Sequence, residues 1–175
     1  MTRYADGPSA WCQINVPAAP AEVWRLVVDV GLPARFSPEL VAARWLDGAS
    51  GPAPGAVFEG HNRHPLLGEW RTHCHVLEAR EPHAFVWAVV DPDDRFGGGT
   101  GDAAHPMAVW RYELASHDGG TLLRHGVRLG PARSGLSLAI DLHPEAEESI
   151  VARRLDNLQT AMRATLAGIA AVAAG

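Results

Sequence analysis

The side chains best placed to do chemistry in this sequence are a phenol and an imidazole on two neighbouring strand-like segments. Tyr112 lies within Met107–Ala115 and His125 within Thr121–Leu129, with the turn-forming His117-Asp118-Gly119-Gly120 between the two segments. A tight hairpin through that turn sets Leu114 opposite Leu123 and Tyr112 opposite His125 on one face. Period-two alternation gives the same face to Trp110 and Val127, so the pair sits in an apolar basket. Three roles fit such a pair. It can be a hydrogen-bonded core contact, a handle for a ligand carbonyl or hydroxyl, or an acid/base couple brought near neutrality by desolvation.

Counting faces along the other strands extends the basket. In Glu69–Ala79 the inward set is Trp70, Thr72, Cys74 and Val76, against outward Arg71, His73 and His75. Phe85, Trp87, Val89 and Asp91 point inward on the next segment, and the parity of Phe58 places Gly60 and Asn62 inside. Asn62, Trp70, Thr72, Trp87, Asp91 and Trp110, with Met162 from the C-terminal helix, are the candidate ligand-binding residues beside Tyr112 and His125. An apolar site with a few placed polar groups is what small-molecule binding calls for. Two alternatives stand beside this. Asp91 precedes Pro92 and fits the start of a loop equally well, and Trp24, Trp70, Trp87 and Trp110 fit a plain core.

Other constellations are weaker. His61, His73 and His75 share the outer face with Arg63 and Arg71, and no closed four-ligand shell can be assembled, so these histidines are expected to be solvent-facing and dispensable, with no metal or cofactor. The Gly97–Gly101 run lacks a following Lys-Ser/Thr and opens no helix, which removes the phosphate-cradle geometry. No G-x-S-x-G elbow occurs, and alternation turns Cys74 away from His73 and His75.

The elements that must position these residues follow from periodicity. A strand at Ala10–Val16 is followed by a helix opened by Pro20, a further short turn through Leu32–Phe36, and six strands beginning at Leu40. The fourth and fifth of these six are separated by a long Gly-rich loop from Pro92 to Pro106, a length usually functional or mobile. After a connector, Gly130–His143, Pro144 and its acidic neighbours open a helix to about Ala171. Its stripe is Val151, Leu155, Leu158, Met162, Leu166 and Ile169. One sheet and one long helix make an α+β fold, expected as a single domain over residues 1–175.

The bulk numbers exclude several classes. With 47% hydrophobic and 20% charged residues the chain is globular rather than disordered. A net charge of −5 with interspersed signs offers no polybasic face, so neither nucleic acid nor anionic membrane is expected as a partner. Cys12 and Cys74 lie in separate strands and are expected to be reduced thiols. The N-terminal stretch lacks a signal-peptide pattern and the Ala-rich tail is too short to span a bilayer, so a cytoplasmic location is expected.

Four stretches, VPAAPAEVWRLVVDV, Gly55-x-x-Phe58-x-Gly60-x-Asn62, WRTHCHVLEAREPHAFVWAVV and VWRYELASHDGGTLL, together resemble the SRPBCC or START-like superfamily. The specific likeness is to its polyketide cyclase/dehydrase and lipid transport family, from about Gln13 to Leu166. The resemblance implies a helix-grip fold, with a seven-stranded curved antiparallel sheet over a long C-terminal helix and two short helices after the first strand. It also implies an internal cavity for an apolar, polyketide- or lipid-like molecule. Members include carriers and cyclases, so three functions stay open: a non-catalytic carrier, a polyketide cyclase/dehydratase-type enzyme, or an interaction module with a packed interior. A homodimer also stays open. Phe36-Ser37-Pro38 departs from relatives that carry tryptophan there, which bears on the cavity mouth.

Overall fold

The computed structural model describes residues 1–175. Seven strands form one antiparallel sheet: β1 (Ser9–Val16), β2 (Leu40–Trp45), β3 (Val57–His64), β4 (Gly68–Arg80), β5 (Ala84–Val90), β6 (Ala108–His117) and β7 (Gly120–Leu129). Their order is β1-β7-β6-β5-β4-β3-β2, leaving β1 and β2 as the edges. Helix α1 (Pro20–Val27) and a 3-10 turn (Leu32–Arg35) follow β1. Helix α2 (Gly135–Leu142) and a 3-10 turn (Pro144–Ala146) precede the long α3 (Glu147–Ala174). This is the helix-grip fold.

Local chemistry explains the elements. Pro20 opens α1, and the Glu22 carboxylate takes the Ala19 N–H at 3.2 Å. Asp118 and Gly119 both take positive φ, 47° and 77°, as a two-residue hairpin of the favoured hand requires. That turn pairs His117 with Gly120 and carries the register through to Tyr112 opposite His125. In α3 the side chains of Val151, Leu158, Met162, Thr165, Leu166 and Ile169 are buried, and the helix lies chiefly along β1. Two contacts tie it to the rest. Arg154 donates two bonds, 2.8 and 2.9 Å, to the Glu39 carboxylate just before β2, and the Phe36 ring rests on Gly168. A Cβ at position 168 would stand 2.3 Å from the Phe36 ring, so glycine is what allows this approach.

The structure departs from the sequence reading in the connector and in the regularity of two strands. The connector contains α2, capped by Ser134, whose hydroxyl accepts the Leu136 N–H. Its leucines and isoleucine alternate at 136, 138, 140 and 142, a spacing that hides a helix from a periodicity argument. Register shifts break β2 between Leu40 and Ala42 and β4 between Val76 and Glu78, and the second brings Ala79 opposite inward Phe85, reversing the alternation beyond it. The second short helix is present as expected, as one 3-10 turn. No helix is long and apolar enough to cross a membrane.

Candidate functional site

Cys12, His125, Tyr112 and Phe85 occupy one row across β1, β7, β6 and β5. Tyr112 and His125 are both buried, yet they do not hydrogen-bond to each other. Their rings stack, with centroids 4.1 Å apart and planes within 10°. The expectation of a hydrogen-bonded pair is therefore corrected to a stacked one. His125 Nδ1 lies 3.0 Å from the Arg111 carbonyl oxygen. A carbonyl can only accept, so the proton sits on Nδ1 and Nε2 carries a bare lone pair.

Burial acts on both groups in the same sense, against charge. It pushes His125 down to about 4, offset in part by the Arg111 carbonyl, and it pushes the Tyr112 phenol up, with the Cys12 thiol adding to the rise. Desolvation thus moves both groups away from neutrality, contrary to the expectation for an acid/base couple. Neither thiol compensates: Cys74 is raised to about 12 by burial and Cys12 is raised too. The chain contains no lysine, so no side-chain amine can form a Schiff base with a carbonyl substrate.

Around the pair the concave face is aromatic. Trp110 lies 5.1 Å from the His125 ring, Trp87 lies 5.7 Å from Tyr112, and the two indoles are parallel within 8° at 6.4 Å. Both tryptophans are half-buried. Trp24 of α1 is buried and meets Phe85 edge-on, while Met162 of α3 is fully enclosed.

The other candidates gather at the far end of the sheet. Asn62 pairs with Trp70, and Gly60 with Thr72, across β3 and β4. A Cβ at Gly60 would come within 3.0 Å of Thr72 Oγ1, so glycine leaves this corner open. Asp91 is buried, and its carboxylate accepts the N–H groups of Phe96 at 3.0 Å and Asp93 at 3.3 Å. It anchors the long loop, the simpler of its two readings. A residue not singled out from sequence, Phe96, turns back from that loop into the core and meets Trp70 edge-on at 6.1 Å. A broad open concavity of about 690 Å³ spans β2–β4, lined by Asn62 and Trp70 among Arg44, His61, Arg63 and Arg71. Tyr112, His125, Trp87 and Trp110 do not line it. The nine candidates thus fall into an aromatic end and a polar end.

On the convex face the sequence reading missed Glu59. It is buried, and its carboxylate takes His61 Nε2 at 2.8 Å, His73 Nε2 at 3.1 Å, Arg71 at 3.2 Å and Arg44 at 3.4 Å. Hydrogen bonding from His61 leads in holding this carboxyl down at about 2, with His73 and Arg44 contributing. Arg71 also clasps Asp93 at the start of the long loop. His61 and His73 are therefore outward, as expected, but engaged. Two guanidinium groups against the same carboxylate make the cluster hostile to a divalent cation.

The polyketide cyclase/dehydrase and lipid transport family matches residues 12–163. No curated protein matches the sequence. Among solved structures, the chain resembles a polyketide-cyclase-like protein of Corynebacterium glutamicum at 26% identity, covering 94% of this chain and 90% of that one, with a TM-score of 0.59. It also resembles the di-domain aromatase/cyclase BexL of the BE-7585A biosynthetic pathway at 18% identity. That match covers 96% of this chain and 50% of BexL, with a TM-score of 0.66. Ara h 8.0201 shares the fold at 12% identity, with 93% and 97% covered and a TM-score of 0.55. With its family match spanning most of its length, the chain belongs to the polyketide cyclase/dehydrase and lipid transport family.

Proposed function

We propose that the protein binds an apolar, ring-containing small molecule against the concave face of the sheet and acts as a binder or carrier. The observation that carries this reading is the aromatic surface of Trp87, Trp110, Tyr112 and His125, whose two tryptophans stay half-buried beside polar groups that the protein leaves unpaired. The pKa directions argue against acid/base turnover near neutral pH, because the imidazole is a weak base there and the phenol a weak acid. Family membership supports a second reading, in which the same surface holds a poly-carbonyl chain in a cyclising conformation. Trp70 and Asn62 then bound the far end of the ligand, with Thr72 and Met162 packed behind that surface, while Asp91 serves the loop.

Native mass spectrometry of the protein from its own host, together with a titration of tryptophan fluorescence by naphthalene, tests the proposal. Saturable quenching that weakens about tenfold in Trp110→Ala supports it. No co-purifying molecule and no saturable quenching would end it. Release of a cyclised product from a poly-β-ketone mimic, absent in controls, would favour the second reading over the first.

A further inference from the structure

The paired His125 and Tyr112 rings carry information about which ligands the aromatic end can accept. Every sealed side-chain nitrogen and oxygen in the molecule has a hydrogen-bond partner. His125 uses Nδ1 on Arg111, whereas neither its Nε2 nor the Tyr112 hydroxyl has a protein partner. Both atoms are therefore unsealed, and the small exposure left to these residues, 5% and 2%, includes their polar tips. Two unspent hydrogen-bonding atoms thus stand on stacked rings at points that water can touch.

Their chemistry is asymmetric. With the proton fixed on Nδ1, Nε2 can only accept, so it selects a ligand that donates. The Tyr112 hydroxyl can donate or accept. No arginine belongs to the buried core around them, and the one buried carboxylate on this face, Asp91, is committed to Phe96 and Asp93. Arg163 of α3 is close enough to act on the Cys12 thiol, but its side chain is exposed and its charge stays in water. A ligand carboxylate brought to this end would meet the His125 lone pair and no buried counter-ion, with the Tyr112 hydroxyl as its single donor.

We infer that the aromatic end recognises an uncharged ring compound through a hydroxyl that donates to His125 Nε2, with Tyr112 as its second contact, and that it rejects carboxylates. This rests on the ligand-binding reading and narrows it from apolar molecules in general to neutral, hydroxyl-bearing ones. Long-chain acids and acidic aromatics fall outside it.

Three probes of one shape separate the outcomes: naphthalene, 2-naphthol and 2-naphthoate, titrated at pH 7 by calorimetry. The expected order is 2-naphthol tighter than naphthalene by about tenfold, the scale of one net hydrogen bond, and 2-naphthoate weaker than naphthalene by at least about tenfold. Tyr112→Phe keeps the ring stack and should remove part of the naphthol advantage. His125→Leu should remove it, bringing 2-naphthol to the affinity that naphthalene has for the same variant. Should His125→Leu fail to fold, the ¹⁵N resonance of Nε2 in the native protein gives the same answer, moving upfield when 2-naphthol is added and staying fixed with naphthalene. Equal binding of naphthalene and 2-naphthol, or 2-naphthoate binding as tightly as 2-naphthol, overturns the recognition rule while leaving the ligand site standing. Failure of all three probes to bind removes the site, and the rule with it.

Discussion

His125 shows how one backbone bond and one stacked ring fix the behaviour of a side chain. Its folded pKa, about 4, lies below the unfolded value near 6.5, so between these values the unfolded chain takes up a proton that the folded one refuses. Stability is thus full above pH 6.5 and falls as pH drops towards 4, by on the order of 3 kcal/mol across the window. Thermal melts over pH 4–7 should show this slope, and His125→Leu should flatten it; a slope unchanged in that variant would mean that other groups cause it. Glu59 acts in a lower window. Its carboxyl is held at about 2 against an ordinary 4.5, so the stability it gives is present above pH 4.5 and lost as pH falls through 2. The carboxylate lies only one layer of side chains below water, which screens the network, so Glu59→Gln should cost on the order of 1 kcal/mol at pH 7 and lower the melting temperature modestly. Of these two residues only His125 was legible in advance. The Asp118-Gly119 turn fixes its register, whereas the burial of Glu59 needs Arg44 and His73 opposite it on two strands whose pairing no local pattern declares.

At the level of elements, strands and the long helix were readable because their periods are clean, and breaks in period were not. The bulge in β4 reverses the alternation so that Ala79 faces the core, and α2 is disguised by apolar residues two apart. Face assignments survived from Trp70 to Val76 because that stretch lies on one side of the bulge. The packing of the 3-10 turn on α3 was also invisible, since it depends on a glycine inside a helix, normally an unfavourable residue there. Gly168 is explained by the Phe36 ring that occupies the place of its missing side chain. Gly168→Ala should therefore destabilise the fold by about 1–3 kcal/mol through overpacking, although alanine is the better helix former. Adding Phe36→Ala should recover part of that loss, giving a coupling energy of opposite sign in a double-mutant cycle measured by urea unfolding. Additive losses would show that the two residues do not meet as described.

Over the whole molecule, the two ends of the site are joined by one long loop whose design the composition alone misrepresents. A glycine-rich stretch between β5 and β6 reads as loose, and from Pro92 to His105 every residue but Phe96 is at least partly exposed. That one ring enters the core and is held from three sides. Asp91 takes its N–H, Arg133 donates to its carbonyl at 3.1 Å, and Trp70 meets its face edge-on. Arg95, the preceding residue, donates to the Leu67 carbonyl at 2.7 Å and ties the loop to the β3–β4 turn. A single aromatic anchor thus pins the loop beside Trp70 at the polar end of the concave face. Gly97, Gly98, Gly99 and Gly101, all at positive φ, let the chain turn sharply away after it. Phe96→Ala should cost about 3–5 kcal/mol, the range for a buried phenylalanine, with the loss concentrated in this loop. Hydrogen exchange should then speed up at residues 92–101 while the β6–β7 hairpin stays protected, because the hairpin's bonds do not pass through Phe96. Uniform acceleration across the sheet would instead make Phe96 part of the global core. No acceleration at all would mean that the polar anchors, Asp91 and Arg133, hold the loop without the ring.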